Sequence, residues 1–327
     1  MIKTTRKGRA KMKDRLFIAF FYIAACVLLP LCGGGTAFAQ PTDGLPENFT
    51  VLISQTGEVR TMTAGEYLVG CLAAQIPLDY EQEALNAQAA AAYTYALRLV
   101  TDFSAQPENA PQGALLSDDS RSCQPYFTPE KCRSEYGADY EKYLPNLEKA
   151  AQYGKTHPIT YENAPIYAVY HSVSAGRTCS AYGVWGRELP YLKPADSISD
   201  KNYTNFECSN EMTAEQARCA LVAYKSDIVT PADYGKWFSE VNANEDGYVI
   251  SLKIGDNLFS GGDIWRIFGL RSTAFTVSYQ DGVFTFVTKG YGHGAGLSQY
   301  GANELAKSGK SADEILRHYY GGEVRIG

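Results

Sequence analysis

Between residues 84 and 97 the chain carries seven alanines, four of them consecutive from Ala89 to Ala92. Alanine is the strongest helix former, and its small side chain lets a neighbouring backbone come close. With Leu, Glu and Gln around it, the stretch predicts a helix from Tyr80 to about Thr101, packed tightly against a partner. A second helix precedes it. Thr63-Ala-Gly-Glu66 has the T-x-x-E form of a capping box, in which the Thr hydroxyl and the Glu carboxylate satisfy each other's backbone donors. That helix runs to Gln75 and stops before Pro77, because the residue ahead of a proline avoids the α region. Two helices joined by a short link at Ile76 to Asp79 are therefore fixed early in the chain.

The remainder mixes elements. Residues 103–137 read as a loop, with Pro107, Pro111, Pro125 and Pro129. Tyr140 to Tyr153 reads as helix, and Ile159 to Tyr161 and Ile166 to His171 read as strands. Ser172 to Trp185 is a polar, glycine-containing loop. A second capping box, Thr213-Ala-Glu-Gln216, opens a helix to about Tyr224. Tyr248 to Ile254, Ala274 to Tyr279 and Val283 to Thr288 alternate as strands do. Ser260 to Phe268, Leu297 to Ala306 and Ala312 to Tyr319 read as helices. Without a regular βαβ repeat, the class is α+β.

Seven Lys or Arg and one acid, Asp14, fall within residues 3–15, ahead of an apolar run from Leu16 to Leu31 and a small-residue end, Ala37-Phe38-Ala39. This pattern describes an export signal, read as a cleaved signal peptide or as a membrane anchor with the rest of the chain outside. The expected division is a signal or anchor at 1–39, a linker at 40–48 and one domain at 49–327. Taking that basic block of +6 from the total of −6 leaves −12 on the outward part. So acidic a surface argues against nucleic acid as a partner. It leaves neutral glycans open, and the 24 tyrosines suit stacking on sugars.

Six cysteines follow residue 39. Cys123 with Cys132, and Cys208 with Cys219, are the shortest-range pairings, although sequence does not set connectivity.

The most specific string is Gly290-Tyr-Gly-His293-Gly-Ala-Gly-Leu-Ser298-Gln299-Tyr-Gly301-Ala302. Its glycines allow sharp turns and close approach to a ligand. Ser298 and Gln299 open a helix whose free N–H groups favour oxygen-rich groups. The string resembles the G-x-G-H-G-x-G-x-S-Q-x-G-A signature of the SpoIID/LytB family. Glu83-Ala-Leu-Asn-Ala-Gln88-Ala-x-Ala-Ala-x-Thr94-Tyr95 is similar to that family's N-terminal helix. Ser172-Val-Ser174-Ala-Gly176-Arg-Thr178 and Val184-Trp185-Gly resemble its middle block.

The resemblance implies a domain with a cleft that works on peptidoglycan glycan strands as a lytic transglycosylase, in the wall remodelling of spore formers. It implies membrane attachment through the N-terminal helix, engulfment-machinery proteins as partners, and no cofactor. One carboxyl would first protonate the leaving glycosidic oxygen and then take the proton of the attacking hydroxyl. Carried over by position, the catalytic places are Gln75, Glu83 and His293. The strand-binding places are Tyr93, Ser174, Gly176, Thr178, Trp185, Ser298 and Gln299. The departures are as informative. Gln75 stands where the family has its acid, and an amide exchanges no proton near neutral pH. Tyr93 stands where the family has arginine. Ser117 and Ser122 replace zinc ligands that some members carry beside Cys123, so no metal site is expected. Glu81, Glu83 and Glu188 are the carboxylates that could stand in for the acid, and His171 is a further candidate to line the cleft. The two functions that follow are a glycan-cleaving enzyme and an inactive or weakened homologue that binds strands.

Overall fold

The computed structural model describes residues 46–327. The expected signal or anchor helix and the linker up to residue 45 lie outside the described residues. Among the described residues no helix is long and apolar enough to cross a membrane.

β1 (Asn48–Ile53) pairs antiparallel with β2 (Glu58–Thr63). β2 leads directly into α1 (Ala64–Gln75), and the capping box forms as read: Thr63 Oγ1 accepts from Glu66 N at 3.2 Å, and the Glu66 carboxylate accepts from Thr63 N at 2.8 Å. Ile76 then turns extended, at φ −133° and ψ 145°, as a residue before proline should. α2 (Gln82–Ala105) follows and is buried from Ala84 to Leu99. After β3 (Leu116–Ser117) come α3 (Pro129–Tyr136) and α4 (Ala138–Thr156). The close approach that the alanines call for is made to α4. A Cβ added at Gly154 would lie 2.7 Å from the Ala89 carbonyl carbon and oxygen. Gly154→Ala is therefore expected to destabilise the fold by about 1–3 kcal/mol through overpacking, read as a lower urea midpoint with an unchanged m-value.

β4 (Ile159–Tyr161), β5 (Ala164–Pro165) and β6 (Tyr170–His171) precede α5 (Ala181–Trp185). The segment from 207 to 289 builds its own core. It holds β7 (Glu207–Thr213), α6 (Ala214–Tyr224), β8 (Phe238–Ala243), β9 (Val249–Ile254), β10 (Asn257–Ser260), α7 (Gly261–Phe268), β11 (Phe275–Gln280) and β12 (Val283–Lys289). Two three-stranded sheets, ordered β10-β9-β8 and β11-β12-β7, enclose Trp237, Phe268, Phe284 and Phe286. The chain then returns to the first core through β13 (Leu297–Ser298), α8 (Gln299–Lys307), α9 (Ala312–Tyr320) and β14 (Arg325–Ile326). β13 lies parallel to β6, with Leu297 opposite Tyr170 and Ser298 opposite His171. This pairing sets the glycine-rich string against the middle motif.

The α+β class holds, with several corrections. The expected loop at 103–137 contains α3, which uses Pro129 in its first turn and Thr128 as its cap. β2, β7 and β8 are strands that the sequence reading missed. Their residues are mostly polar and lie largely at the surface, so no apolar alternation marks them. Ile166 to Val169 is buried but outside any strand, leaving only Tyr170–His171 paired. All six described cysteines are free. Cys123 and Cys132 belong to different core clusters, and the Cys208 and Cys219 thiols turn to separate oxygens.

Candidate functional site

Gln75 ends α1 with its side chain 1 % exposed. Its Nε2 donates to the Pro125 carbonyl at 2.8 Å, and its Oε1 accepts from the Tyr170 hydroxyl. Tyr170 Oη also lies 2.7 Å from Gln124 Oε1, and Gln124 Nε2 donates to Ala92 O at 2.9 Å. Two amides and one phenol thus tie α1, the 123–126 loop, α2 and β6 together. Burial pushes the Tyr170 phenol far above its ordinary range, so the network stays neutral. Position 75, where an acid is expected from the resemblance, is a closed, uncharged joint.

His171, next in the chain to Tyr170, meets His293 with ring centroids 5.7 Å apart, and Trp185 packs on His293 at 5.3 Å. The glycines make this possible. Gly294 has φ +85° with the Tyr248 ring where its Cβ would be, and Gly296 has φ +71° with the Val169 carbonyl 2.0 Å from that point. His171 Nδ1 bonds to Ala295 O at 3.0 Å, and His293 Nδ1 accepts from Ala295 N at 3.1 Å. Burial holds His171 down to about 3, with His293 adding to the effect, and holds His293 down to about 4. Both are neutral at physiological pH. His171 Nε2 is buried without a partner among the described residues. So are Gln88 Nε2 and Gln299 Oε1, although Gln299 Nε2 reaches Gln88 Oε1 at 3.3 Å. Buried polar atoms of this kind take water or ligand hydroxyls.

The other candidates divide. Ser174 Oγ accepts from Gly176 N at 3.1 Å, and Thr178 Oγ1 accepts from Ala195 N at 2.8 Å, so both brace the middle loop. Ser298 caps α8 through Gly301 N. Glu83 is committed elsewhere: its carboxylate accepts from Ala312 N at 2.8 Å, at the start of α9. Tyr93 is buried in the first core with its ring edge-on to Phe49. Glu81 and Glu188 are exposed. A groove of about 390 Å³ borders the middle loop at Gly176, Arg177 and Lys201. There Arg177 is matched by Asp196 at 3.3 Å and Glu245 at 2.9 Å. Among the described residues no group of three or more His, Cys, Asp or Glu could hold a metal ion.

The sequence reading missed Asp200. It sits in a 3-10 turn, Ile198–Asn202, wholly buried. Its Oδ2 accepts from Ser174 N at 2.7 Å and Ser298 Oγ at 2.8 Å, pinning the middle motif to the C-terminal one. Its Oδ1 has no partner among the described residues. Burial raises its pKa to about 6, against the pull of Ser174, Ser298 and Ser197. Gly301 leaves room for the cluster, since a Cβ there would lie 2.2 Å from both Ser197 Oγ and Tyr319 Oη. No periodicity or motif in its proline-flanked loop singles Asp200 out.

A mixed α+β domain in which a serine/glycine loop and a G-x-G-H-G-x-G string are clasped beside a helix–helix corner defines a class, and comparison with known proteins agrees. A family model described as "Stage II sporulation protein" matches residues 53–161. The chain is 33 % identical over 291 residues to stage II sporulation protein D of Bacillus amyloliquefaciens, covering 88 % of this chain and 81 % of that one. It is 31 % identical over 285 residues to the protein of the same name from Bacillus subtilis, covering 87 % and 80 %. An amidase enhancer of Bacillus subtilis is 24 % identical over 310 residues, covering 78 % of this chain and 39 % of that protein. The chain belongs to the stage II sporulation protein D family.

Proposed function

We propose that this chain acts on the glycan strands of peptidoglycan, in wall remodelling linked to sporulation, by holding the strand rather than cleaving it from position 75. The relatives named for sporulation support the context. The observation that carries the reading is the Gln75 amide, which makes its hydrogen bonds to Pro125 and Tyr170 inside an uncharged network. A glycosidic oxygen needs a proton donor, and this network offers none near neutral pH. The unpartnered His171 Nε2, Gln88 Nε2 and Gln299 Oε1 suit sugar hydroxyls. The acidic outward part suits a neutral polymer over an anionic one. Peptide-stripped strands are expected to co-sediment with the chain, and Trp185→Ala should weaken capture several-fold because the indole backs His293. Absence of capture at any strand concentration would sink the reading. A second reading, weak cleavage, rests on Asp200, the buried carboxyl whose pKa is raised to about 6.

A further inference from the structure

Three tyrosines come from parts of the chain that meet at the N-terminal end of α8. Tyr80 lies on the α1–α2 link, Tyr203 follows the Asp200 turn, and Tyr300 is in the first turn of α8. The Tyr203 and Tyr300 rings meet at 5.3 Å and 73°. The Glu81 N–H donates to Asn303 Oδ1 at 2.9 Å, fastening the Tyr80 link to α8. Tyr300 directly follows Gln299 of the glycine-rich string, Tyr80 lies five residues beyond Gln75, and Tyr203 lies three beyond Asp200.

All three rings are half-buried. None of the three hydroxyls donates to another described residue, whereas Tyr167, Tyr248 and Tyr320 donate to Asp102, Arg177 O and Val169 O inside the fold. A half-buried tyrosine presents an apolar face and a polar tip together. A pyranose ring has the matching surface, with C–H groups on its faces and hydroxyls at its rim. On α8 Glu304 pairs with Lys307 at 2.7 Å, and the link beside it carries Asp79 and Glu81, so the local charge is negative and disfavours an anionic ligand.

We propose that Tyr80, Tyr203 and Tyr300 form a saccharide-stacking subsite that takes neutral pyranose units of the strand at the N-terminal end of α8. This rests on the glycan-binding reading above and adds where the sugar lies. The test is calorimetric titration of the full chain with a linear β-1,4-linked N-acetylglucosamine hexamer and with peptide-free strands. Tyr203→Ala and Tyr300→Ala are each expected to weaken binding roughly tenfold, the scale of one aromatic contact. Tyr203→Phe and Tyr300→Phe keep the stack and should lose only a few-fold. Tyr224→Ala, on α6, should bind as wild type. If an alanine variant fails to fold, the Tyr→Leu and Tyr→Phe pair at the same position is compared instead. Wild-type binding that persists at full strength in the Ala or Leu variants overturns the subsite and leaves the binding reading intact. A wild type that binds neither probe overturns both.

Discussion

Asp200→Ala is expected to lower stability by about 3–5 kcal/mol at neutral pH, because it strands two buried donors, Ser174 N and Ser298 Oγ, and opens a hole. Asp200→Asn should be far milder, since an amide oxygen can accept from both donors. The two variants also separate a pH effect. The folded carboxyl titrates at about 6, whereas an unfolded aspartate titrates at about 3.9. Between those values the folded chain keeps a proton that the unfolded chain has lost. Stability from Asp200 is therefore full below the unfolded value and falls by about 3 kcal/mol as pH rises through the folded one. His171 and His293 work the other way. Their folded values of about 3 and 4 lie below the unfolded value of about 6.5, so the unfolded chain protonates first and stability falls on acidification. Asp200 offsets part of that loss in the wild type. Asp200→Asn should thus lose stability more steeply than wild type between about pH 6.5 and pH 4.5, as read from urea midpoints. Parallel pH profiles would contradict the assignment.

Gln75→Glu is expected to be nearly neutral in acid and to cost about 2–4 kcal/mol near pH 7. As a carboxylate, residue 75 would set an oxygen against the Pro125 carbonyl, where Nε2 now donates at 2.8 Å. As a neutral acid it could donate there and still accept from Tyr170. Its folded pKa is therefore raised, and the variant loses stability as pH rises above the ordinary carboxylate range. A carboxyl held protonated at neutral pH is what a general acid requires. Strand cleavage should nonetheless stay close to the wild-type level. Tyr93 brings no cation to the place of the family arginine, and its ring is committed to Phe49. Robust cleavage by Gln75→Glu alone would show that the Tyr93 change is tolerated.

What could be read in the sequence follows the range of the interactions. The boxes at Thr63 and Thr213 depend on residues three apart and form as read. The stop at Ile76 and the alanine face of α2 are equally local or periodic. β7 and β8 fail that test because their side chains are mostly polar and solvent-facing, and only their partner strands make them strands. The site divides the same way. The glycine string and the serine loop stand out by composition. The bond between them runs through Asp200, which lies 26 residues from Ser174 and 98 from Ser298. Glu83 shows the converse. A carboxylate within a recognisable motif is spent on the start of α9, a contact 229 residues away.

Mass spectrometry of peptide-stripped glycan strands after long incubation with the purified full chain distinguishes a strand that is held from one that is cut. Intact strands should be recovered with the protein, with no 1,6-anhydro ends, the product of lytic transglycosylation, above the no-protein control. Anhydro-ended fragments released by the wild type would contradict the binding reading.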